Sequence, residues 1–207
     1  MKKFKPIIIV PGEPNSIFFE IFFKSLKKKF LSPLILVGSY KLLKLQMKSL
    51  KYKKKIKKLK FNKLSYYKLN NETINIIDIK HNFTKPFEKK SKKYNLYIKK
   101  SFEIAFKIIK SGISNKFING PISKKNFLNK KYFGVTEYVA KEFSIKKKAM
   151  LIYNKKLSVC PITTHLPIKF VSKKIFREKI SEKVQLLDEF YQIHLKKKPR
   201  IAIIGLN

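Results

Sequence analysis

The sequence predicts an α/β fold with a mixed, mostly parallel sheet, and three observations lead to that prediction. Short apolar runs alternate along the chain with longer stretches whose apolar residues recur at helical spacing. The first run, Ile7–Val10, consists of branched residues, as in a strand that is buried on both faces. The chain of 207 residues is long enough to bury a large core, and its single cysteine excludes an internal disulfide framework.

In the first half of the chain, strand and helix candidates alternate regularly. Strands are predicted at residues 7–10, 34–37 and 74–79, and helices at residues 17–26, 40–50 and 94–110. Asn15 or Ser16 is a candidate cap for the first helix, and Gly112 stands where a glycine commonly ends a helix such as the third. Residues 51–69 carry many lysines and are interpreted as a solvated connection rather than as a nuclear localisation patch.

The second half is predicted to add shorter elements. They are a strand at 117–119, a helix at 136–143, strands at 149–153 and 157–162, a helix at 176–195 and a strand at 201–204. The two strands joined by the turn at 154–156 are short enough for a hairpin, which makes the predicted sheet mixed. Thr136 is expected to cap the helix that it begins. No internal boundary is predicted, so residues 1–207 form a single α/β unit in this interpretation.

The net charge of +38 is the strongest compositional signal, and it points to a polyanionic partner. All but two of the 50 basic residues are lysines, however, whereas proteins that grip phosphates usually rely on the planar guanidinium of arginine. The lysines are also scattered along the whole chain. Nucleic acid is therefore not the expected partner, and a lysine-rich nucleic-acid-binding protein on a decayed enzyme scaffold is kept as an alternative.

The N-terminus and the apolar runs give no indication of export. The apolar stretch after the basic residues 2–5 is too short for the core of a signal peptide. No run approaches the roughly 20 apolar residues of a membrane span. A cytoplasmic location without a membrane partner is therefore expected, and a single cysteine fits such a reducing compartment.

Three histidines and one cysteine are the first candidates for chemistry. His165 directly follows the predicted strand at 157–162, where ligands and catalytic residues are often found. A lone histidine fits a structural role as well as metal ligation, so residue type alone leaves His165 open. His81 in a polar loop and His194 near a helix C-terminus are interpreted as structural or exposed. Cys160 lies inside an apolar strand candidate and is interpreted as an inert core thiol.

Two short segments also carry residue types that suit ligand binding. Asn119-Gly120-Pro121-Ile122-Ser123-Lys124 fits either a loop that faces a phosphate or a plain structural turn. Gly134-Val135-Thr136-Glu137 fits the start of a helix. The sequence contains no CxxC or HExxH metal motif, no P-loop and no GxGxxG dinucleotide motif.

Taken in order along the chain, five segments resemble the 4-hydroxythreonine-4-phosphate dehydrogenase family of vitamin B6 biosynthesis. The Thr-His-Leu-Pro segment around His165 and the Gly-Leu-Asn segment at 205–207 are the most specific of the five. The matching segments are Val10-Pro11-Gly12-Glu13-Pro14, Asn119 to Lys124, Gly134-Val135-Thr136-Glu137-Tyr138, Thr163-Thr164-His165-Leu166-Pro167-Ile168, and Pro199 to Asn207.

The resemblance implies a reaction and a fold. Family members oxidise the C3 hydroxyl of 4-phosphohydroxy-L-threonine with NAD or NADP, and the product loses carbon dioxide to give 3-amino-2-oxopropyl phosphate. The resemblance further implies a divalent metal (zinc, magnesium or cobalt) held by three histidines, and a site between the subunits of a homodimer. It implies a three-layer α/β/α fold similar to that of isocitrate and isopropylmalate dehydrogenases. The alternative within enzymes is a relative that acts on another small phosphorylated hydroxy acid.

The resemblance also assigns roles to individual residues. His165 falls on the first metal-ligand position, and Thr136 falls on a substrate-binding position. The neighbouring substrate-binding histidine of the family is Val135 here, and losing a hydrogen bond to a charged group costs about 1.5–3 kcal/mol. The other metal histidines and the cofactor-binding segment are expected beyond Asn207. The fold is therefore expected to be C-terminally incomplete and the 207 residues alone inactive, and no catalytic residue is assigned.

Overall fold

The computed structural model of the chain describes residues 4–87, 92–123, 127, 132 and 134–205. The chain divides into two compact units, Met1–Lys130 and Lys131–Asn207. None of the described helices is both long enough and apolar enough to cross a membrane.

A five-stranded parallel sheet lies at the centre of the first unit. Its strands are β1 (Ile7–Val10), β2 (Leu34–Gly38), β3 (Ile56–Leu59), β4 (Ile74–Asp78) and β5 (Lys116–Asn119). They lie in the order β3-β4-β2-β1-β5, and every neighbouring pair is parallel. Ile8 of β1 is in register with Ile35 on one side and with Phe117 on the other. All five residues of β2 are buried, so both faces of the sheet are covered there.

Three helices accompany this sheet. They are α1 (Phe18–Ser25), α2 (Tyr40–Ser49) and α3 (Asn95–Lys110), with 3-10 helices at Phe61–Tyr66 and Lys92–Tyr94. The buried residues of α3 recur at helical spacing, which explains why the 3.6-residue pattern predicted it. Ser39 caps α2 because its side chain accepts a hydrogen bond from the backbone N–H of Leu42. Gly112 follows α3 with φ of +75°, as expected for a glycine that ends a helix.

The second unit contains helices but little sheet. Its helices are α4 (Val135–Glu142) and α5 (Arg177–Phe190), which continues as a π-helix at Tyr191–Leu195, and it has 3-10 helices at Ile168–Phe170 and Ser172–Lys174. Within the described residues of this unit, Ala140 is the one buried apolar side chain.

The predicted fold class is confirmed, and so are α3, α5 with its π-helical extension, and the strands of the first unit except β3. Residues 51–69 were interpreted as a connection, but they contain β3, an edge strand whose two central residues are lysines. Lysine is a common way to protect a sheet edge from further pairing. Because two of its four residues are lysines, β3 does not form an apolar run in the sequence.

Two strand predictions in the second half need correction. The predicted hairpin is present only as a single antiparallel bridge between Ile152 and Val159, so the described sheet itself is parallel throughout. Residues 201–204 form no strand and are exposed. Branched residues favour an extended backbone, but a strand also needs a partner for its ladder, and none pairs with these residues in the described part of the chain.

Candidate functional site

The first two family-like segments meet at one edge of the sheet in the first unit. They directly follow β1 and β5, which are parallel neighbours, so their carboxyl ends emerge side by side. From β1 the chain continues to β2, which lies on one side of β1, whereas β5 lies on the other side of β1. In open α/β sheets this change of direction is where ligands bind.

Close backbone contacts hold the two turns together. The backbone N–H of Gly120 donates to the carbonyl of Val10 at 2.7 Å. A side chain at Gly120 would collide with the backbone of Pro11, so this position requires glycine. Gly12, with φ of +78°, occupies the left-handed region that favours glycine.

Glu13 joins the same two turns through its backbone and its side chain. Its backbone N–H donates to the carbonyl of Pro121 at 2.8 Å, and its Oε1 accepts from the backbone N–H of Ser123 at 3.1 Å. Glu13 is only 5% exposed. Because a carboxylate already occupies the N–H of Ser123, the geometry favours a structural turn over a phosphate-facing loop here. Lys124 of this segment lies outside the described residues.

The third and fourth segments also meet, within the second unit. A Cβ built on Gly134 would lie 3.0 Å from Oε2 of Glu137 and 3.5 Å from Nε2 of His165. The carboxylate and the imidazole therefore lie around the same point, although they are far apart in the sequence. Imidazole nitrogen and carboxylate oxygen are both suitable ligands for divalent metals.

The backbone of His165 is unusual. Its φ of 57° lies in the left-handed region, which few residues other than glycine adopt. Such conformations cost energy and are found disproportionately at functional sites. The side chain is exposed, and it is the one histidine that lies in a family-like segment.

Val135 and Thr136 form the first turn of α4, next to Gly134. Val135 is half-buried and Thr136 is exposed. The prediction that Thr136 caps this helix is wrong, because the N-cap position belongs to Gly134, which has no side chain to act as a cap. Thr136 instead lies in the first turn of α4, where its side chain is exposed.

The remaining candidates do not join these clusters. The ring centroid of His81 lies 4.6 Å from that of Phe83, and the ring centroid of His194 lies 5.2 Å from that of Phe190. His81 is half-buried and His194 is exposed. Cys160 was predicted to be a core thiol but is half-buried and outside any strand. Burial raises the pKa of its thiol, and the charge of Lys183 opposes that effect.

Sequence reasoning singled out neither Glu13 nor Glu137. Both glutamates lie inside family-like segments, and this is the one sequence feature that could have identified them. A single glutamate has no characteristic spacing from other residues. Among the described residues, no group of three or more His, Cys, Asp or Glu side chains could hold a metal ion. The side chains of His165 and Glu137 each carry an atom of a type that divalent metals accept as a ligand.

A separate cavity of about 520 Å³ lies in the first unit. Four lysines contribute to its wall together with an aromatic ring and two apolar side chains. The lining residues are Lys44, Met47, Tyr52, Lys53, Lys54, Lys55 and Ile56.

Known proteins that are similar to this chain agree on one family. The family profile described as "Pyridoxal phosphate biosynthetic protein PdxA" matches residues 29–207. A 4-hydroxythreonine-4-phosphate dehydrogenase from Sulfurihydrogenibium sp. (strain YO3AOP1) is 34% identical over 206 residues, which make up 97% of this chain and 62% of that protein. A protein of the same name from Aquifex aeolicus (strain VF5) is 40% identical over 76 residues, which make up 37% of this chain and 24% of that protein.

Solved structures agree on the fold. A putative 4-hydroxythreonine-4-phosphate dehydrogenase from Salmonella typhimurium superposes with a TM-score of 0.75 at 22% identity, covering 91% of this chain and 59% of that one. The corresponding Klebsiella pneumoniae structure gives a TM-score of 0.74 with the same identity and coverage. This chain thus spans 62% of the length of the Sulfurihydrogenibium relative. Because the family profile covers most of its residues, the chain belongs to the PdxA family of pyridoxal phosphate biosynthetic proteins.

Proposed function

We propose that the protein containing this chain oxidises 4-phosphohydroxy-L-threonine with NAD or NADP and releases carbon dioxide, giving 3-amino-2-oxopropyl phosphate. Membership of the PdxA family supports this activity, as does the name of the Sulfurihydrogenibium relative. The structural observation that carries the proposal is the meeting of two family-like segments around Gly134, which brings Glu137 and His165 together.

In this proposal the residues of the second unit hold the substrate end of the site. His165 binds a divalent ion (zinc, magnesium or cobalt), and Thr136 donates its hydroxyl proton to a substrate oxygen. When bound, such an ion supplies Lewis-acid chemistry at the hydroxyl that is oxidised. Val135 offers no hydrogen bond, so a polar group of the substrate that meets a histidine in other family members has no partner at this position.

Further metal ligands and the nicotinamide-binding segment are proposed to lie outside residues 1–207. A catalytic divalent site normally has about three protein ligands, and no such group is found among the described residues. We therefore expect the 207-residue chain alone to be inactive. NAD reduction by the isolated chain with 4-phosphohydroxy-L-threonine and zinc or magnesium would contradict that expectation. A cytoplasmic homodimer is proposed for the full-length protein.

A hybrid enzyme tests the activity directly. Residues 1–207 replace the matching part of the Sulfurihydrogenibium relative, and NADH formation from 4-phosphohydroxy-L-threonine is measured. We expect the hybrid enzyme to be active and His165→Ala to abolish its activity. We also expect Val135→His to raise kcat/KM about 10- to 100-fold, since it restores a hydrogen bond to a charged group. An active hybrid in which Val135→His gives no gain would favour another small phosphorylated hydroxy acid as substrate. An inactive hybrid that folds would contradict the proposal.

One observation favours a second candidate function, the binding of nucleic acid. Between Ile21 and Asn71 the sequence contains no Asp or Glu, and the lysine-lined cavity lies within this segment. A mobility-shift assay at physiological salt tests it, comparing Lys53→Gln/Lys54→Gln/Lys55→Gln with the matched triple change at Lys146, Lys147 and Lys148. Selective loss in the first variant would support a binding site, whereas equal loss would indicate charge alone.

A further inference from the structure

The lysine-lined cavity of the first unit combines apolar side chains with cationic ones. The apolar part consists of Met47, which is 8% exposed, and of the half-buried side chains of Tyr52 and Ile56. The cationic part consists of four lysines, of which Lys54 is half-buried and the others are exposed. The volume of about 520 Å³ lies within the range of about 300–1,000 Å³ that is typical of small-molecule pockets.

Regular structure and ring stacking hold the apolar part of the cavity in place. Lys44 and Met47 belong to α2, and Ile56 begins β3, which pairs with β4. The ring of Tyr52 stacks on that of Phe23, with 4.5 Å between the centroids and 6° between the planes. Phe23 covers one face of this ring without lining the cavity, so the rest of the ring is what a ligand in the cavity meets. A ring that is held in this way suits stacking with a planar ligand.

The charges of the four cavity lysines are not compensated by acidic side chains. Within the described parts of the chain, none of their ammonium groups forms an ion pair. The sequence has no Asp or Glu between Ile21 and Asn71 that could supply one locally. The C-terminal end of α2 at Ser49 carries a partial negative charge of about half an elementary charge, which four full positive charges outweigh. A cavity lined by one sign of charge attracts ligands of the opposite sign, so an anion is the expected occupant.

We propose that this cavity binds a small molecule that carries a planar aromatic ring and a phosphate monoester. The ring lies against Tyr52, Met47 and Ile56, and the lysine ammonium groups donate hydrogen bonds to the phosphate oxygens. A phosphate monoester carries about −1.5 to −2 charges at pH 7, which suits a group of several lysines. Lysine binds phosphate as a point charge, although it lacks the bidentate geometry of arginine. The inference goes beyond the proposed dehydrogenase activity and does not depend on it.

The observations favour a small molecule over a nucleic-acid strand in this cavity. Strand binding relies on phosphate contacts that follow the backbone along a groove. The cavity instead surrounds one volume of about 520 Å³, which takes a single aromatic phosphate, whereas a strand would leave nearly all of its nucleotides outside it. A phosphate backbone also offers nothing apolar to Met47, whereas an aromatic ring does.

The test uses flavin mononucleotide as the probe and measures its binding to the 207-residue chain at physiological salt by isothermal titration calorimetry. Quenching of the flavin fluorescence reports stacking of its ring. Riboflavin keeps the ring without the phosphate, and inorganic phosphate lacks the ring. The first variant changes the three lysines at residues 53–55 to glutamine, and the matched control makes the same change at residues 146–148. Tyr52→Leu removes the aromatic ring and keeps an apolar side chain, and circular dichroism establishes that each variant is folded.

We expect a single flavin mononucleotide to bind per chain with quenched fluorescence, and riboflavin and inorganic phosphate to bind about 10-fold more weakly or less. The variant at residues 53–55 and Tyr52→Leu should each weaken binding of the probe about 10-fold, since one removes the cations and the other the stacking partner. The variant at residues 146–148 should bind the probe as the unaltered chain does.

Three results would overturn the inference. They are no binding of the probe, equal losses in the two triple variants, and binding of inorganic phosphate as tight as that of the probe, which would indicate charge alone. A single-stranded oligonucleotide is measured in parallel. If it binds tightly to a chain that does not bind the probe, the second candidate function replaces this inference. The dehydrogenase activity is judged separately by the hybrid enzyme.

Discussion

The two units of the chain differ sharply in how much apolar surface they bury. Of the buried apolar side chains among the described residues, all but Ala140 belong to the first unit. The second unit is little more than half as long, yet among the described residues it displays more exposed large apolar side chains than the first. Among them are Leu157, Ile168, Phe176 and Ile203.

This contrast separates two contributions to structure. Local patterns predicted helices in both units, and both units contain them. In the first unit, α3 buries a continuous apolar face. In the second unit, α5 has no buried residue. Since most helix stability in proteins comes from packing, the first unit should carry most of the measurable stability.

The largest expected difference between the units concerns one phenylalanine from each. Phe102 is fully buried and packs against Phe106 and Phe117, with ring centroids 5.6 Å away in both cases. Phe102→Ala should lower the free energy of unfolding by about 3–5 kcal/mol, because it leaves a cavity. Phe176 is 52% exposed, and Phe176→Ala should change that free energy by no more than about 0.5 kcal/mol.

Urea unfolding followed by circular dichroism measures both changes. Phe102→Leu, which retains most of the buried volume, is the control for the first variant. Equal losses at Phe102 and Phe176 would show that the second unit holds a packed core after all and would remove the contrast.

Alkaline pH gives the next largest expected effect, again in the first unit. Burial raises the pKa of Tyr97 to about 12, and its hydroxyl accepts a hydrogen bond from the backbone N–H of Ser39 at 3.2 Å, which acts in the opposite direction. The unfolded chain loses this proton near pH 10, whereas the folded chain keeps it to a higher pH. Stability that is present below pH 10 should therefore be lost as the pH rises to about 12, by roughly 3 kcal/mol.

Tyr97→Phe isolates this contribution from the titration of the many lysines. The difference in unfolding free energy between the two proteins should be constant below pH 10 and should shift in favour of the variant between pH 10 and about 12. A difference that does not change with pH would mean that Tyr97 titrates normally in the folded protein.

The parts of the fold that the sequence predicted correctly are those that local patterns determine. The branched run at Ile7–Val10 and the 3.6-residue spacing of α3 each specify one kind of element. β3 and the missing strand at 201–204 could not be read this way, because sheet membership depends on pairing with distant residues. A lysine-rich segment that pairs with β4 becomes a strand, whereas an apolar segment without a partner does not.

The candidate site shows the same limit. His165 could be singled out from its position after a predicted strand and from the residues around it. Glu137 could not be singled out in this way. Its Oε2 is buried, and that atom lies close to the position that a Cβ on Gly134 would occupy; both features arise only in the folded chain.

The smallest expected effect compares the two glutamates that lie inside family-like segments. In the first unit, Oε1 of Glu13 accepts a hydrogen bond from Ser123. In the second unit, Oε2 of Glu137 is buried without one. Glu13→Gln should lower the free energy of unfolding by about 1 kcal/mol, since a hydrogen bond to a charged acceptor becomes a neutral one. Glu137→Gln should leave stability unchanged or raise it when no metal is present, because an uncompensated charge is removed.

Urea unfolding in the presence of a chelator measures both changes. If Glu137→Gln is as destabilising as Glu13→Gln in the chelator, then Glu137 is a structural residue like Glu13. The two units would in that case use these glutamates in the same way.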